Sequence, residues 1–276
     1  MKRENQFQFT NSSRCEHIIA LNAVMSDFSY VRHAHEEYSL GVTLQGRQDF
    51  FCQNAFYRSP VGGVMVFDPE DVHDGHSGGS DHLEYVMLYI HPDTFKPLFQ
   101  ALGCSSDSPL RLQRPLFTAP ALRRQILHLS ALMRQPDSSR MEYESVVFQI
   151  AQSLVAFSGK LDIGSPVHKR TDTLLIHAKD YILAHLDQDI SIDDIAGVAS
   201  MSKFHFIRSF RQQFGITPHQ YVLNCRVNLA RKLIASGQSL TSAAYAAGFA
   251  DHSHLNRYFK RVYGMAPKYF QRQLVD

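Results

Sequence analysis

Residues 254–270 read "HLNRYFKRVYGMAPKYF", and residues 205–221 read "HFIRSFRQQFGITPHQY". At an offset of 49 residues, His205, Arg208, Phe210, Gly215 and Pro218 fall on His254, Arg257, Phe259, Gly264 and Pro267. Phe206, Arg211, Phe214 and Tyr221 fall on Leu255, Lys260, Tyr263 and Phe270, so character is kept where identity is not. This is an internal repeat, and it sets the architecture of the carboxyl half. On a helix of 3.6 residues per turn, Phe206, Phe210 and Phe214 share one face, as do Leu255, Phe259 and Tyr263. Those faces are expected to be core.

Helix boundaries can be read from the same stretch. Ser191 precedes "IDDIAGVA" with Asp194 three residues on, an acidic variant of the capping box. Ser202 and Asp251 stand as amino-terminal caps, again 49 residues apart. Thr217-Pro218 and Ala266-Pro267 place proline where a first helical turn tolerates it. Gly215 and Gly264 suit helix stops. A short helix precedes each long one, "SIDDIAGVAS" and "SLTSAAYAAGF", with Ala196 and Ala244 small enough for a close crossing.

Each pair of helices therefore reads as a helix-turn-helix, whose second helix enters the major groove of DNA. The outward faces carry Lys203, Phe204, Ile207, Arg208 and Arg211 in one copy, and His252, Ser253, Asn256, Arg257 and Lys260 in the other. Both are basic, yet the other residues differ, as expected of two readers of different text. Arginine suits guanine, asparagine suits adenine, and apolar groups suit thymine methyls. A merely solvated basic face would explain one copy, but not two in register with matching caps. A helical scaffold would need three or more units.

The rest of the composition agrees. With 44% hydrophobic and 20% charged residues, the 276-residue chain can bury a core and has room for two domains. Residues 165–276 carry 14 Lys+Arg against 8 Asp and no Glu, a net +6, whereas residues 1–164 carry −4. Only the carboxyl half is suited to a polyanion. No apolar run approaches the ~18–20 residues of a membrane helix, and residues 1–17 lack a signal-peptide core. Cys15, Cys52, Cys104 and Cys225 stand far apart with no zinc spacing. A cytoplasmic protein without a membrane partner is expected. Neither a Ser-His-Asp arrangement nor a phosphate loop stands out, so no catalysis and no cofactor are expected.

Residues 173–276 resemble the DNA-binding domain of the AraC family of transcription regulators. The segments that carry the resemblance are "IAGVASMSKFHFIRSFRQQFGITPHQYV", "VLNCRVNLARKLIAS" and "AAGFADHSHLNRYFKRVYGMAPKYF". It implies seven helices, two helix-turn-helix units held apart by a long middle helix, and recognition helices in adjacent segments of the major groove of double-stranded DNA. Carried over by position, the base readers are Phe204, Ile207 and Arg208, then His252, Ser253, Asn256 and Arg257. Lys203, Arg211 and Lys260 are expected to grip phosphates. Ile207 stands where some relatives place a polar reader, which leaves hydrogen-bonded specificity in the first unit mainly to Arg208.

Residues 15–95 alternate short apolar runs with turn signals, including "HAHEEYSLGVTLQG" and "GGVMVFDPEDVHDGH". These histidines resemble the motifs of the cupin barrel, which the AraC family commonly uses to sense effectors. His33, His35, Tyr38 and His73 are expected to line the barrel mouth and bind a small molecule, an amino acid or another anionic or zwitterionic metabolite. A metal site on His33, His35, Glu37 and His73 is the less favoured reading, because Glu37 follows His35 more closely than metal-binding cupins place their glutamate. Histidines that merely hydrogen-bond neighbouring strands form a third reading.

Residues 119–159 turn helical, with apolar stripes at Leu122, Ile126, Leu129 and Met133, and at Val147, Ile150, Leu154 and Phe157. The stripes either cover the barrel or form a homodimer, and dimerisation is favoured. The expected fold is α+β and multidomain: a cupin-like sensing and dimerisation domain at 1–160, a linker at 161–172 ("KLDIGSPVHKRTD" spans it), and an all-α domain at 173–276. The expected function is an effector-controlled transcription activator that contacts RNA polymerase. The alternative is a metal-dependent cupin enzyme, an oxygenase or isomerase, carrying a DNA-binding module.

Overall fold

The computed structural model describes residues 4–11, 17–79, 82–104, 110–135, 138–158 and 170–275. Nine strands come first: β1 (Gln6–Asn11), β2 (Ile18–Met25), β3 (Ser29–His33), β4 (Tyr38–Gln45), β5 (Gln48–Cys52), β6 (Ala55–Ser59), β7 (Val64–Phe67), β8 (His73–Ser77) and β9 (Leu83–Ile90). Helix α1 (Pro92–Ala101), strand β10 (Leu116–Phe117) and helices α2 (Pro120–Leu132) and α3 (Arg140–Ser158) complete the first unit. Seven helices follow among the described residues: α4 (Arg170–Ala184), α5 (Ile192–Val198), α6 (Lys203–Phe214), α7 (Pro218–Ala235), α8 (Leu240–Ala246), α9 (His252–Tyr263) and α10 (Pro267–Val275). The chain divides into two compact units between Leu161 and Asp162.

In the first unit one sheet runs β1-β2-β9-β4-β7-β10 and the other β3-β8-β5-β6, with antiparallel pairing throughout. The inner strands β4, β7 and β9 of the larger sheet are buried on both faces, which is why β7 and β9 read as nearly continuous apolar runs. Side chains alternate between faces along a strand. Tyr38, Leu40 and Val42 of β4, with Val86, Leu88 and Ile90 of β9, join one core cluster with Phe95, Leu122, Ile126 and Ile150 of the helices. Ser39, Met87 and Tyr89, at the intervening positions, line a pocket together with residues of the smaller sheet.

Two helical expectations need correction. Helix α1 was not anticipated, although its signals are present. His91 accepts at Nδ1 from the Asp93 N–H (3.3 Å), Pro92 opens the first turn, and Phe95 and Phe99 point to the core at i and i+4. The stripes of α2 and α3 do not form a free seam either. Leu122, Ile126, Leu129, Met133, Val147, Ile150 and Leu154 are all buried in the core cluster that α2 and α3 share with the sheet. What stays outside is a second face of α3, with Met141 78% exposed and Phe148 partly so, while Phe157, at the end of the inner stripe, is partly exposed and packs on Phe117. Of the expected linker, residues 161–169 lie outside the described residues, and residues 170–172 already form the first turn of α4. Cys52, Cys104 and Cys225 are free thiols, and Cys15 lies outside the described residues. Among the described residues, no helix is long and apolar enough to cross a membrane.

Candidate functional sites

The helical unit repeats in three dimensions what the sequence repeats in one. Phe206 and Phe210 of α6, and Leu255 and Phe259 of α9, are fully buried, worth about 1.5–3 kcal/mol each. Phe210 packs on Tyr221, and Phe259 packs on Phe270, so each copy closes on the helix that follows it. Phe214, at the end of the first stripe, is only half-buried, with Lys179 over its ring. Gly215 and Gly264 end the two helices in the left-handed region, at φ 78° and 76°.

The caps are mostly as read. The Ser191 N–H donates to Asp194 Oδ2 (2.9 Å), and the Asp194 N–H donates to Ser191 Oγ (3.1 Å). Asp251 accepts from the His254 N–H at 2.7 Å, but Ser202 caps α6 by backbone position alone, without a side-chain bond. Thr217 and Gln220 form a full capping box that the sequence reading missed, visible as Thr-x-x-Gln. The turns differ by one residue, because α5 and α8 are offset by 48 positions and α6 and α9 by 49. Ser200 at φ 52° and Gly248 at φ 79° hold equivalent left-handed positions. At Gly248 a methyl group would overlap the Leu186 carbonyl oxygen, which Arg226 Nε already binds at 2.8 Å. That contact locks α8 and α7 to the end of α4.

The outward faces come out as follows. Lys203, Phe204, Arg208 and Arg211 are exposed on α6 and Ile207 is half-buried, with Phe204 84% exposed. On α9, His252, Ser253, Arg257 and Lys260 are exposed and Asn256 is half-buried. Lys203 is not a bare cation: its Nζ lies 2.8 Å from Asp193 Oδ2 on the preceding helix. Exposed apolar rings beside guanidinium groups suit base edges flanked by phosphates.

In the amino-terminal unit, three of the four expected pocket residues meet. His33 ends β3 and His73 opens β8, directly opposite each other in the strand register, and His35 follows two residues after His33. His33 Nε2 and His35 Nε2 are 3.1 Å apart, and one ligand atom from each of the three rings lies within 4.8 Å of the others. All three are buried. The pocket around them is narrow: the cavity holds about 20 Å³, room for one water or a single ion, so a larger molecule enters only if it opens. Burial pulls the His33 imidazole down from its ordinary value to about 4. Burial, and then the neighbouring His33, hold His73 well below its usual range. The His33 and His73 rings are therefore neutral at physiological pH.

Tyr38 does not belong to this group. It sits on the other face of the larger sheet, packed on Phe95 and Phe99, with its hydroxyl donating to the Leu110 carbonyl at 2.7 Å. Strand parity is the cause, since β4 sends Ser39, not Tyr38, toward the pocket. Glu37 is buried but does not line the pocket, and neither does half-buried His76. The sequence reading missed Tyr30, Gln48, Tyr85 and Tyr89 as lining residues. Tyr85 and Tyr89 were findable from the alternation in "LEYVMLYI". Tyr30 and Tyr85 join hydroxyls across the pocket at 2.8 Å, and burial raises both phenols above their ordinary values.

Known proteins agree with both halves. A family model for the AraC-like ligand binding domain matches residues 18–151, and one for a helix-turn-helix domain matches residues 195–273. The chain is 26% identical over 226 residues to the HTH-type transcriptional regulator YbfI of Bacillus subtilis, covering 82% of this chain and 81% of that protein. It is 25% identical over 256 residues to the transcriptional activator RhaS of Escherichia fergusonii, covering 91% and 90%. The crystal structure of ToxT from Vibrio cholerae superposes with a TM-score of 0.58 at 14% identity, covering 94% of this chain and 99% of that one, and so shares the fold. With its two domain types in this order along the chain, the protein belongs to the AraC family: a DNA-binding transcription regulator with an amino-terminal ligand-binding domain.

Proposed function

We propose that the protein is an effector-controlled transcription activator in which α6 and α9 of one chain occupy adjacent major-groove segments. The observation that carries this is the matched pair of helices, each with a buried aromatic stripe and an exposed basic face. Phe204, Ile207, Arg208, His252, Ser253, Asn256 and Arg257 read bases, and Lys203, Arg211 and Lys260 hold phosphates. The functional domains are residues 1–160 and, from the first turn of α4, 170–276, joined by a linker at 161–169. Activation is the reading favoured by a relative named as an activator, with contact to RNA polymerase as its proposed route. The outward face of α3, with Met141 and Phe148, is the homodimer surface, since the inner stripes are occupied. The protein works in the cytoplasm.

The effector enters the pocket beside His33, His35 and His73. ToxT has been crystallised with an unsaturated fatty acid bound. In this chain the imidazoles, Gln48 and the tyrosine hydroxyls favour a smaller, more polar anion or zwitterion, of the amino-acid kind. Binding regulates transcription only if the two functional states differ in affinity for it. The relatives named above are transcription regulators, which favours this reading over a cupin enzyme with an attached DNA-binding module, and no catalysis is proposed. Selection of bound fragments from genomic DNA, followed by footprinting, tests the DNA reading. Two protected major-groove segments about one helical turn apart per chain are expected, and a single protected segment would refute it.

A further inference from the structure

The histidine cluster has a geometry that effector binding alone does not require. His33 Nδ1 lies 2.7 Å from the Val31 carbonyl, and His73 Nδ1 lies 2.8 Å from the Asp71 carbonyl. A carbonyl only accepts, so both Nδ1 atoms carry the hydrogen, and both Nε2 atoms present bare lone pairs. A metal-binding histidine is typically oriented in this way, through a backbone carbonyl on its far nitrogen. The rings are also held by packing. His73 lies flat on Phe67 with centroids 3.9 Å apart, and the edge of His35 meets Tyr89 at 4.8 Å.

Distances fit the same picture. Two imidazole nitrogens at ~2.05 Å from a tetrahedral ion stand ~3.3 Å apart, close to the 3.1 Å between His33 and His35. The rest of the set spans no more than 4.8 Å, within about 1.5 Å of that spacing. Three imidazoles form a donor set suited to zinc and its neighbours. Glu37, whose spacing argued against a metal, plays no part, because His73 supplies the third donor from β8.

We propose that His33, His35 and His73 hold one divalent transition-metal ion of the zinc class, with its fourth position open toward the pocket. The ion keeps its full charge, since no carboxylate belongs to the donor set, and its open position takes an anionic oxygen. The assignment of that oxygen to the effector rests on the effector reading above; the metal site does not.

The test uses the untagged full-length protein equilibrated with micromolar free Zn²⁺ and no effector, so that its failure is separate from failure of the effector reading. One zinc per chain is expected, and X-ray absorption should show three imidazole nitrogens at about 2.0–2.1 Å. A His33→Ala/His73→Ala variant should retain less than a tenth as much. Zinc retained in full by that folded variant, no zinc retained by the wild type, or absorption without imidazole scattering would each overturn the proposal. If the variant does not fold, the wild-type stoichiometry and absorption spectrum decide alone.

Discussion

His33 and His73 stand directly opposite each other across β3 and β8, with ring centroids 4.6 Å apart. They lie forty positions apart in the chain, and four further strands come between β3 and β8 in the sequence. The pairing brings two buried imidazoles to one wall of the pocket, and His35 completes the group from the link that leads into β4.

Arg208 and Arg257 hold equivalent exposed positions on α6 and α9. Changing either to alanine should cost about 1–3 kcal/mol at its own base pair and relax preference there. Titrations against operators carrying single-base changes check this. Equal weakening on every sequence would instead make these arginines phosphate contacts.

Lys203 and Lys260 should behave differently although both were assigned to phosphates. Lys260→Ala should lower the slope of log affinity against log salt by about one. Lys203 is paired with Asp193, so part of its charge is already compensated, and Lys203→Ala should lower the slope by less. The comparison is void of meaning for Lys260 only if its own slope stays at the wild-type value, which would remove it from the interface.

Gly248→Ala places a Cβ at φ 79° and against the Leu186 carbonyl that Arg226 binds. Strain and overlap together should destabilise the helical unit by about 1–3 kcal/mol. Urea unfolding monitored in the intact chain reads it. A stability equal to wild type would mean that α8 and α4 can separate without cost.

Asp68 is buried, accepts from the Leu112 N–H at 2.7 Å through Oδ2, and has no hydrogen-bond partner at Oδ1 among the described residues. Desolvation raises its carboxyl to about 7. The folded state therefore binds the proton more tightly than the unfolded chain does. Its stabilisation is complete below about pH 4 and is lost as pH rises through about 7. Asp68→Asn keeps an acceptor for Leu112 and removes the titration. Between pH 5 and 8 the wild type should lose more stability than the variant, by on the order of a few kcal/mol. Parallel profiles for the two proteins would show that Asp68 ionises normally.

What could be read directly is local. A period of 3.6 sorts Phe206 and Phe210 from Arg208 and Arg211, and capping or stop residues act on neighbours three or four positions away. The double helix-turn-helix, its caps at Ser191 and Asp251 and its glycine stops were therefore present in the amino-acid order alone. So was the β-rich character of the amino half, through its turn signals and apolar runs. The tertiary structure decided what depends on partners distant in sequence. It put Tyr38 behind the sheet and Ser39 in front, because strand parity has meaning only once the buried faces are known. It joined Lys203 to Asp193 and Gly248 to Leu186, and it buried the stripes of α2 and α3 in the core cluster they share with the sheet. It also selected His73 over His76 as the third imidazole, since cross-strand register, set by the packing of whole sheets, determines which side chains share a wall.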